Sequence, residues 1–410
     1  MFDPYKVRND FPMIKNDIKM QGKPLVFFDN ASTTFKPNSV IRAILDYYSY
    51  LTANSHRGDY DLAYQVDNRI NQARIVVSKF INANVDEVVF TSGDTMSLNL
   101  IAYGYAMKFL KKDDEIILSE AEHASNMLPW FKVAEKLGVK IKYVELNHEG
   151  RITPENLKKV ITSKTKIVAL AQIGNVLGYL LDMKEVSRLA HEVGALVVCD
   201  GAQSVPHIKT DVKDLDVDFL TFSGHKMLGP TGVGVLYAKK ELLDKMDTFL
   251  TGGGMNSKFD ISGEVKPLPA PAKFEAGTLN IEGIIGLRAA VDYLTKIGMD
   301  NIDKYEKELR AYAISKLKKV PNIIIYNENA ESGIITFNIK GVFAQDEGTL
   351  LNSKGFALRS GQHCAKALVD FLKTPATVRC SLYFYNTKEE VDALYDALTT
   401  GGDFLDAYFA

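Results

Sequence analysis

Two short apolar runs in the middle of the chain end in residues that can do chemistry. Leu-Val-Val-Cys-Asp-Gly-Ala-Gln (196–203) delivers a carboxylate and an amide, Asp200 and Gln203. Asp-Phe-Leu-Thr-Phe-Ser-Gly-His-Lys (218–226) delivers a hydroxyl, an imidazole and an amine: Ser223, His225 and Lys226. Both runs read as strands buried on both faces, with carboxyl ends that open into a site. A lone lysine is usually a solvated surface residue, and a lone aspartate a cap or turn former. Lys226, however, follows an apolar strand and precedes Gly-Pro-Thr-Gly (229–232), small residues that a planar ligand can approach. An amine for an aldehyde, an anion for a ring nitrogen and donors for a phosphate together suit pyridoxal phosphate (PLP).

The elements that must position these groups alternate between strand and helix. Residues 24–34 read as a strand ending in a small-residue turn, followed by helices over about 37–50 and 61–82 with a polar loop at 51–60. Val88 opens a strand, glycine turn and helix that runs to Ala102. Further strands are expected at 115–119, 140–145, 166–173 and 195–200, with helices near 126–137, 154–162 and 183–193. Such alternation implies parallel strands with helical crossovers, hence a doubly wound α/β domain with its site at the carboxyl ends of the strands. The Gly- and Pro-rich stretch 252–280 reads as a long loop, functional or interfacial. Helices follow near 281–297 and 301–319. Beyond Pro321 the pattern turns α+β, with strands near 322–326, 333–339, 356–360 and 378–384 and helices near 345–354 and 388–399. The expected division is a large, mainly parallel-sheet domain over 24–300 and a smaller α+β domain made of 1–23 and 301–410.

Composition narrows the class. The 410 residues carry a formal net charge of −2, which argues against a nucleic-acid or membrane-surface partner. No apolar stretch approaches a membrane span, and the N-terminus is no signal peptide. The three cysteines, Cys199, Cys364 and Cys380, have no paired spacing, so neither a disulfide framework nor a metal site is expected. A cytoplasmic enzyme is the expectation.

From about Phe27 to Asn386 the chain resembles the SufS-type (group II) cysteine desulfurases, within the class-V aminotransferase-like branch of the fold-type I PLP enzymes. The motifs that carry this resemblance include Phe-Asp-Asn-Ala-Ser (28–32), His-Arg-Gly (56–58), Glu-His-Ala-Ser-Asn (122–126) and Ile-Gly-Asn-Val-Leu-Gly (173–178). With them stand Asp-Gly-Ala-Gln (200–203), Phe-Ser-Gly-His-Lys (222–226), Phe-Glu-Ala-Gly-Thr (274–278), His-Cys-Ala (363–365) and Tyr-Asn-Thr (385–387). The resemblance implies that Lys226 holds the PLP aldehyde and later moves the substrate α-proton, which needs a lowered lysine pKa. Asp200 would pair with the ring nitrogen and Gln203 with the ring oxygen. His123 would stack on the ring and shuttle protons with a near-neutral pKa; the plainer alternative is a capping histidine. Thr95, Ser223 and His225 would hold the phosphate, and Thr278 would reach the phosphate of a second subunit in a homodimer. Asn175 and Arg379, helped by Arg359, would take the substrate carboxylate. Cys364 would attack the sulfur of L-cysteine and keep it as a persulfide, leaving L-alanine. The sulfur would pass to an acceptor protein of iron–sulfur cluster assembly. Cys199 and Cys380, in apolar strands, read as structural.

Three positions depart from the family pattern. Gly-Asp-Thr-Met (93–96) stands where Gly-Thr-Thr-Glu is usual, and the expectation is that Asp94 points away and caps the following helix while its backbone N–H still faces the phosphate, PLP binding being weak otherwise. Gln362 replaces a usual histidine before His363. No histidine occurs in Val-Phe-Ala-Gln-Asp (342–346), which puts a zinc-scaffold-like acceptor in doubt. The alternatives are a selenocysteine lyase or cysteine-sulfinate desulfinase that does not need Cys364, and a catalytically impaired PLP-fold binding platform.

Overall fold

The structure, a computed structural model, describes residues 2–55 and 58–400. His56 and Arg57 of the quoted motifs, and the ends of the expected small domain at residues 1 and 401–410, lie outside the described residues. Seven strands form the central sheet: β1 (Val88–Thr91), β2 (Glu115–Ser119), β3 (Lys140–Val144), β4 (Thr165–Ala171), β5 (Leu196–Asp200), β6 (Phe219–Ser223) and β7 (Gly234–Ala238). They lie in the order β1-β7-β6-β5-β4-β2-β3. Neighbours from β6 to β3 run parallel, and β7 runs antiparallel to both β1 and β6.

The apolar runs form central strands because both sheet faces are covered. On β5, Val197 and Cys199 join one core with the helices Asn38–Tyr50, Asp61–Phe80 and Ile281–Ile297, while Val198 joins the core on the other face. Leu220 and Phe222 of β6 divide from Phe219 in the same way. The sequence pattern identifies β1 to β6 but not β7. That strand returns from β6 through the tight turn 224–232, closed by Gly224 N–H to the Val233 carbonyl at 2.9 Å. A hairpin return has no helical crossover to announce it.

The second sheet is antiparallel, with β8 (Ile323–Ile325), β9 (Ile334–Ile339), β10 (Arg359–Gly361) and β11 (Thr377–Ser381) in the order β8-β9-β11-β10. Leu309 and Leu317 of the helix Met299–Leu317, and Val391 and Leu394 of Lys388–Thr399, close its core over Ile335, Phe337 and Val378. Thr387 and Glu390 start the latter helix with a reciprocal capping box.

Three expected elements come out differently. The strand of 24–34 shrinks to Val26–Phe27, paired in parallel with Phe356–Ala357. Beyond it, Asn30 turns the chain by donating to the Ser381 carbonyl at 2.7 Å and to Asn386 at 3.0 Å. The strand near 356–360 is split, because its two halves serve different partners, Val26–Phe27 and β11. Within the loop 252–280, Asn256–Phe259 and Val265–Pro267 form an exposed hairpin. That loop is anchored by Glu275, which takes a two-pronged bond from Arg74 at 2.8 and 2.7 Å and the Phe90 N–H at 2.8 Å.

Candidate active site

A cavity of about 230 Å³ opens at the carboxyl ends of β1, β2, β4, β5 and β6, lined by residues of both sheets. Lys226 ends the single turn Gly224–Lys226 that follows β6. Four donors converge on the carbonyl of its predecessor, His225: Thr34 N–H (3.1 Å), Thr33 Oγ1 (3.1 Å), Thr34 Oγ1 (3.2 Å) and Lys36 Nζ (2.8 Å). The peptide joining His225 to Lys226 is thereby fixed. Asp200 stands at the end of β5, buried, with Oδ1 accepting the Ala202 N–H at 2.9 Å. Gln203 donates to the Ala31 carbonyl at 2.7 Å and leaves Oε1 without a partner.

Burial, with Arg379 and Arg359 adding, lowers the Lys226 amine from its ordinary value, while Asp200 and Asp94 oppose. His123 differs from expectation: burial and the nearby Lys226, Arg379 and Arg359 take it down to about 4, so its ring is neutral near pH 7. It is also the capping histidine of the plainer alternative. Its Nδ1 accepts the Ser125 N–H at 3.1 Å, which places the proton of the neutral ring on Nε2. His225 is likewise held at about 4 by burial. Behind His123 the buried Glu122 accepts from Asn126 (2.8 Å) and the Ala171 N–H (3.0 Å), and Asn126 accepts from Trp130 (3.1 Å).

The helix cap expected of Asp94 is not formed. Gly93 takes the N-cap position at φ 153°, which places Asp94 one residue inside the helix Asp94–Ile101, where its side chain cannot reach back to the free amides. The Asp94 N–H donates to Ser223 Oγ at 2.9 Å, and its carboxyl group is buried in the cavity lining with Oδ1 unpartnered. Thr95, beside it, shares a 2.7 Å hydrogen bond with Ser125.

The other wall comes from the second sheet. Arg379 on β11 is buried and donates to Asn175 O (2.9 Å), Asp29 (3.0 Å) and Ser32 Oγ (2.7 Å), leaving Nε free. Arg359 donates to the same Ser32 hydroxyl at 2.7 Å. Cys364 is exposed and lines the cavity, whereas Cys199 and Cys380 are buried with thiols pushed up by desolvation. His363 and Cys364 both adopt left-handed backbone, φ 53° and 56°. The His363 ring turns away to Thr377 (2.9 Å), and burial with Arg379 holds it at about 3. His363 is therefore neutral beside Cys364, while Arg379 acts on it as a cation. Asn175 Nδ2 donates to the His363 carbonyl at 2.8 Å. Thr278 lies apart, exposed and outside the cavity lining.

Residues 26–394 match the family described as Aminotransferase class-V. A probable cysteine desulfurase of Halalkalibacterium halodurans is 43% identical over 96% of this chain and 97% of its own. The crystal structure of the Escherichia coli cysteine desulfurase CsdA superposes with a TM-score of 0.91 at 37% identity, covering 99% of each chain. The apo cysteine desulfurase of Thermococcus onnurineus gives 0.92 at 35%, covering 98% of each. The chain belongs to the class-V aminotransferases, among the cysteine desulfurases.

The cofactor of this desulfurase is PLP, and the cavity fits it. Gln203 Oε1, Asn175 Oδ1 and Arg379 Nε are buried polar atoms without a protein partner, all on lining residues, as expected where a polar ligand completes the bonding. An amine, a carboxylate and a cluster of hydroxyl and imidazole donors stand together around one space. The structure gathers Lys226, Asp200, Gln203, His123, Thr95, Ser223, His225, Asn175, Arg359, Arg379 and Cys364 around the cavity, and leaves Thr278 outside. Sequence reasoning did not single out Ser32, Ser125, Lys36, Thr33 or Thr34 as site residues. Ser32 lies within a quoted motif, but its bridging of two arginines depends on how the two sheets meet.

Proposed function

We propose that this protein converts L-cysteine to L-alanine as a homodimeric SufS-type desulfurase of the cytoplasm, with the sulfur kept on Cys364 as a persulfide and passed to an acceptor protein of iron–sulfur cluster assembly. The observation that carries this reading is the exposed Cys364 thiol lining the same cavity as the buried Lys226 amine. PLP supplies an electron sink for the substrate's Cα–H and Cβ–S bonds. Lys226, lowered by burial, takes and returns the proton at Cα. Asp200 pairs with the ring nitrogen, and the Gln203 amide, already fixed on Ala31, has a second N–H for the ring oxygen. Thr95, Ser223 and His225 receive the phosphate at the start of the helix Asp94–Ile101. Thr278, exposed on its own chain, serves the phosphate of the second subunit. Arg379 offers its free Nε to the substrate carboxylate, with Asn175 and Arg359 at its sides.

His123 donates or accepts through Nε2, because Nδ1 is held by Ser125. The Cys364 thiolate attacks the substrate sulfur, so an S–S bond forms as the Cβ–S bond breaks. The electron pair of that bond stays with the carbon side, which gains a proton and leaves as alanine, so no external oxidant is needed.

Intact-mass spectrometry after a small excess of L-cysteine without reductant, with alanine measured in parallel, tests this. Alanine together with one added sulfur on Cys364 is expected. Alanine with unmodified Cys364 would mean direct release of sulfur, and neither product would overturn the desulfurase reading for this chain.

A further inference from the structure

Asp94 is a second buried carboxyl on the cavity lining, beside the groups assigned to the phosphate, with its own N–H on Ser223, and nothing in the proposed chemistry uses it. Three observations bear on its charge. The residue is 7% exposed, and Oδ1 has no hydrogen-bond partner. Asp200, the other carboxyl of the cavity floor, accepts the Ala202 N–H at 2.9 Å. The Asp94 N–H is directed to Ser223 Oγ at 2.9 Å, inside the set of groups assigned to the phosphate. Two buried carboxyls acting on each other do not both ionise easily, and the proton goes to the one whose anion is solvated worse. A backbone N–H stabilises the Asp200 anion, whereas Asp94 has only the Thr221 hydroxyl near its carboxyl and an Oδ1 with no donor.

We propose that Asp94 carries this proton and admits the cofactor as a neutral acid, so that PLP affinity falls when Asp94 ionises at alkaline pH. The proposal rests on the assignment of the phosphate to Thr95, Ser223 and His225.

Burial pushes Asp94 up to about 8, with Asp200 adding and the Thr221 hydroxyl and Lys226 opposing. The groups that face it come from three elements: Asp200 at the end of β5, Thr221 on β6, and Lys226 in the turn after β6. Asp200 is itself raised by burial, with the Ala202 N–H pulling it back. The sign follows directly. Below about pH 8 Asp94 is neutral; above it, a buried anion stands beside the cradle and binding of the phosphate dianion weakens. A threonine in the family's usual Gly-Thr-Thr-Glu pattern has no such charge to lose.

The test is the PLP dissociation constant of the PLP-stripped protein, by fluorescence, from pH 6.5 to 9.5, for the unaltered chain and for Asp94→Asn and Asp94→Thr. The ratio to the variants cancels the ionisations of PLP itself. The expected result is affinity within about threefold of the variants at pH 7 and a further loss of at least about tenfold by pH 9, absent in both variants. Parallel curves throughout would overturn the proposal, as would variants that bind at least tenfold tighter already at pH 7, since Asp94 would then be charged at neutral pH. If a variant does not fold by circular dichroism, proton counting on the unaltered chain decides. Calorimetry in buffers of different ionisation enthalpy then compares PLP with pyridoxal, whose ring ionises alike but which lacks the phosphate; close to one more proton taken up for PLP relative to pyridoxal at pH 9 than at pH 7 is expected, and an unchanged difference overturns the idea. Ser223→Ala separates this from the cradle assignment. It should weaken PLP at every pH, and a Ser223→Ala protein with unchanged affinity would refute the cradle rather than the charge state of Asp94.

Discussion

The turn that carries Lys226 and the loop that carries Cys364 face the same cavity, yet they are held in different ways. Around Lys226, the neighbouring carbonyl takes four donors from the segment 33–36, and the next strained residue, Leu228 at φ 68°, has its N–H taken by Thr34 at 2.9 Å. Around Cys364, two consecutive residues sit in left-handed backbone, each at a cost on the order of 1 kcal/mol. That loop is tied by single bonds: Ala124 N–H to Cys364 O, Asn175 to His363 O and Ala365 N–H to Gln362 O, each at 2.8 Å. In the proposed reaction the lysine meets a fixed ring from a fixed direction, and the thiol reaches a substrate sulfur and afterwards presents it outward. Heavy pinning suits the first task, and a strained, lightly tied loop suits the second.

The largest effect should follow from breaking the fixed side at its centre. Lys226→Ala is expected to lower alanine formation roughly a thousandfold or more and to remove the covalent hold on PLP, read by loss of the cofactor on gel filtration. Cys364→Ala should abolish persulfide, measured by mass, and cut alanine formation by about a hundredfold, while leaving PLP affinity unchanged. A variant that still produced alanine at full rate would show that the cysteine side is dispensable and would favour direct release of sulfur.

A smaller effect should come from Lys36. It is half-buried, no carboxylate among the described residues pairs with it, and desolvation lowers its amine to about 7. Lys36→Met is expected to reduce kcat about tenfold with KM little changed, because the peptide before Lys226 loses one of its donors. Lys36→Arg, which keeps a donor, should recover part of that loss. Equal defects in both variants, accompanied by a matching fall in Tm, would point to a general folding role and weaken the contrast between the two supports.

How much of this was legible beforehand differs between the two sheets. Asp200 and Lys226 could be read because each ends an apolar run, and a buried strand followed by polar residues marks its own carboxyl end. The side-chain direction of Asp94 could not be read, since it depends on Gly93 taking the cap and on Ser223 arriving from another strand. Nor could Lys36 and Ser32, whose partners lie 189 and 327 residues away in sequence. Strand β7 stayed hidden because a hairpin return leaves no helical period. The near-neutral expectation for His123 failed for a related reason, since the burial that depresses it, and the Lys226, Arg379 and Arg359 cations that add to it, come from segments distant in sequence.

The smallest expected effect uses those histidines to compare the two supports once more. His225 on the lysine turn is held at about 4, and His363 on the cysteine loop at about 3, both mainly by burial. Each is neutral in the folded protein and takes up a proton near pH 6.5 when unfolded, so the unfolded state binds more protons between those values. Stability should therefore fall as pH drops from about 6.5 towards 4, and be insensitive to these groups above about 7. Urea unfolding across that range, with His363→Asn beside the unaltered chain, checks the sign. The variant should lose less stability on acidification. If its curve instead runs parallel to that of the unaltered chain, His363 is already charged or exposed, and the loop carrying Cys364 opens even in the resting protein.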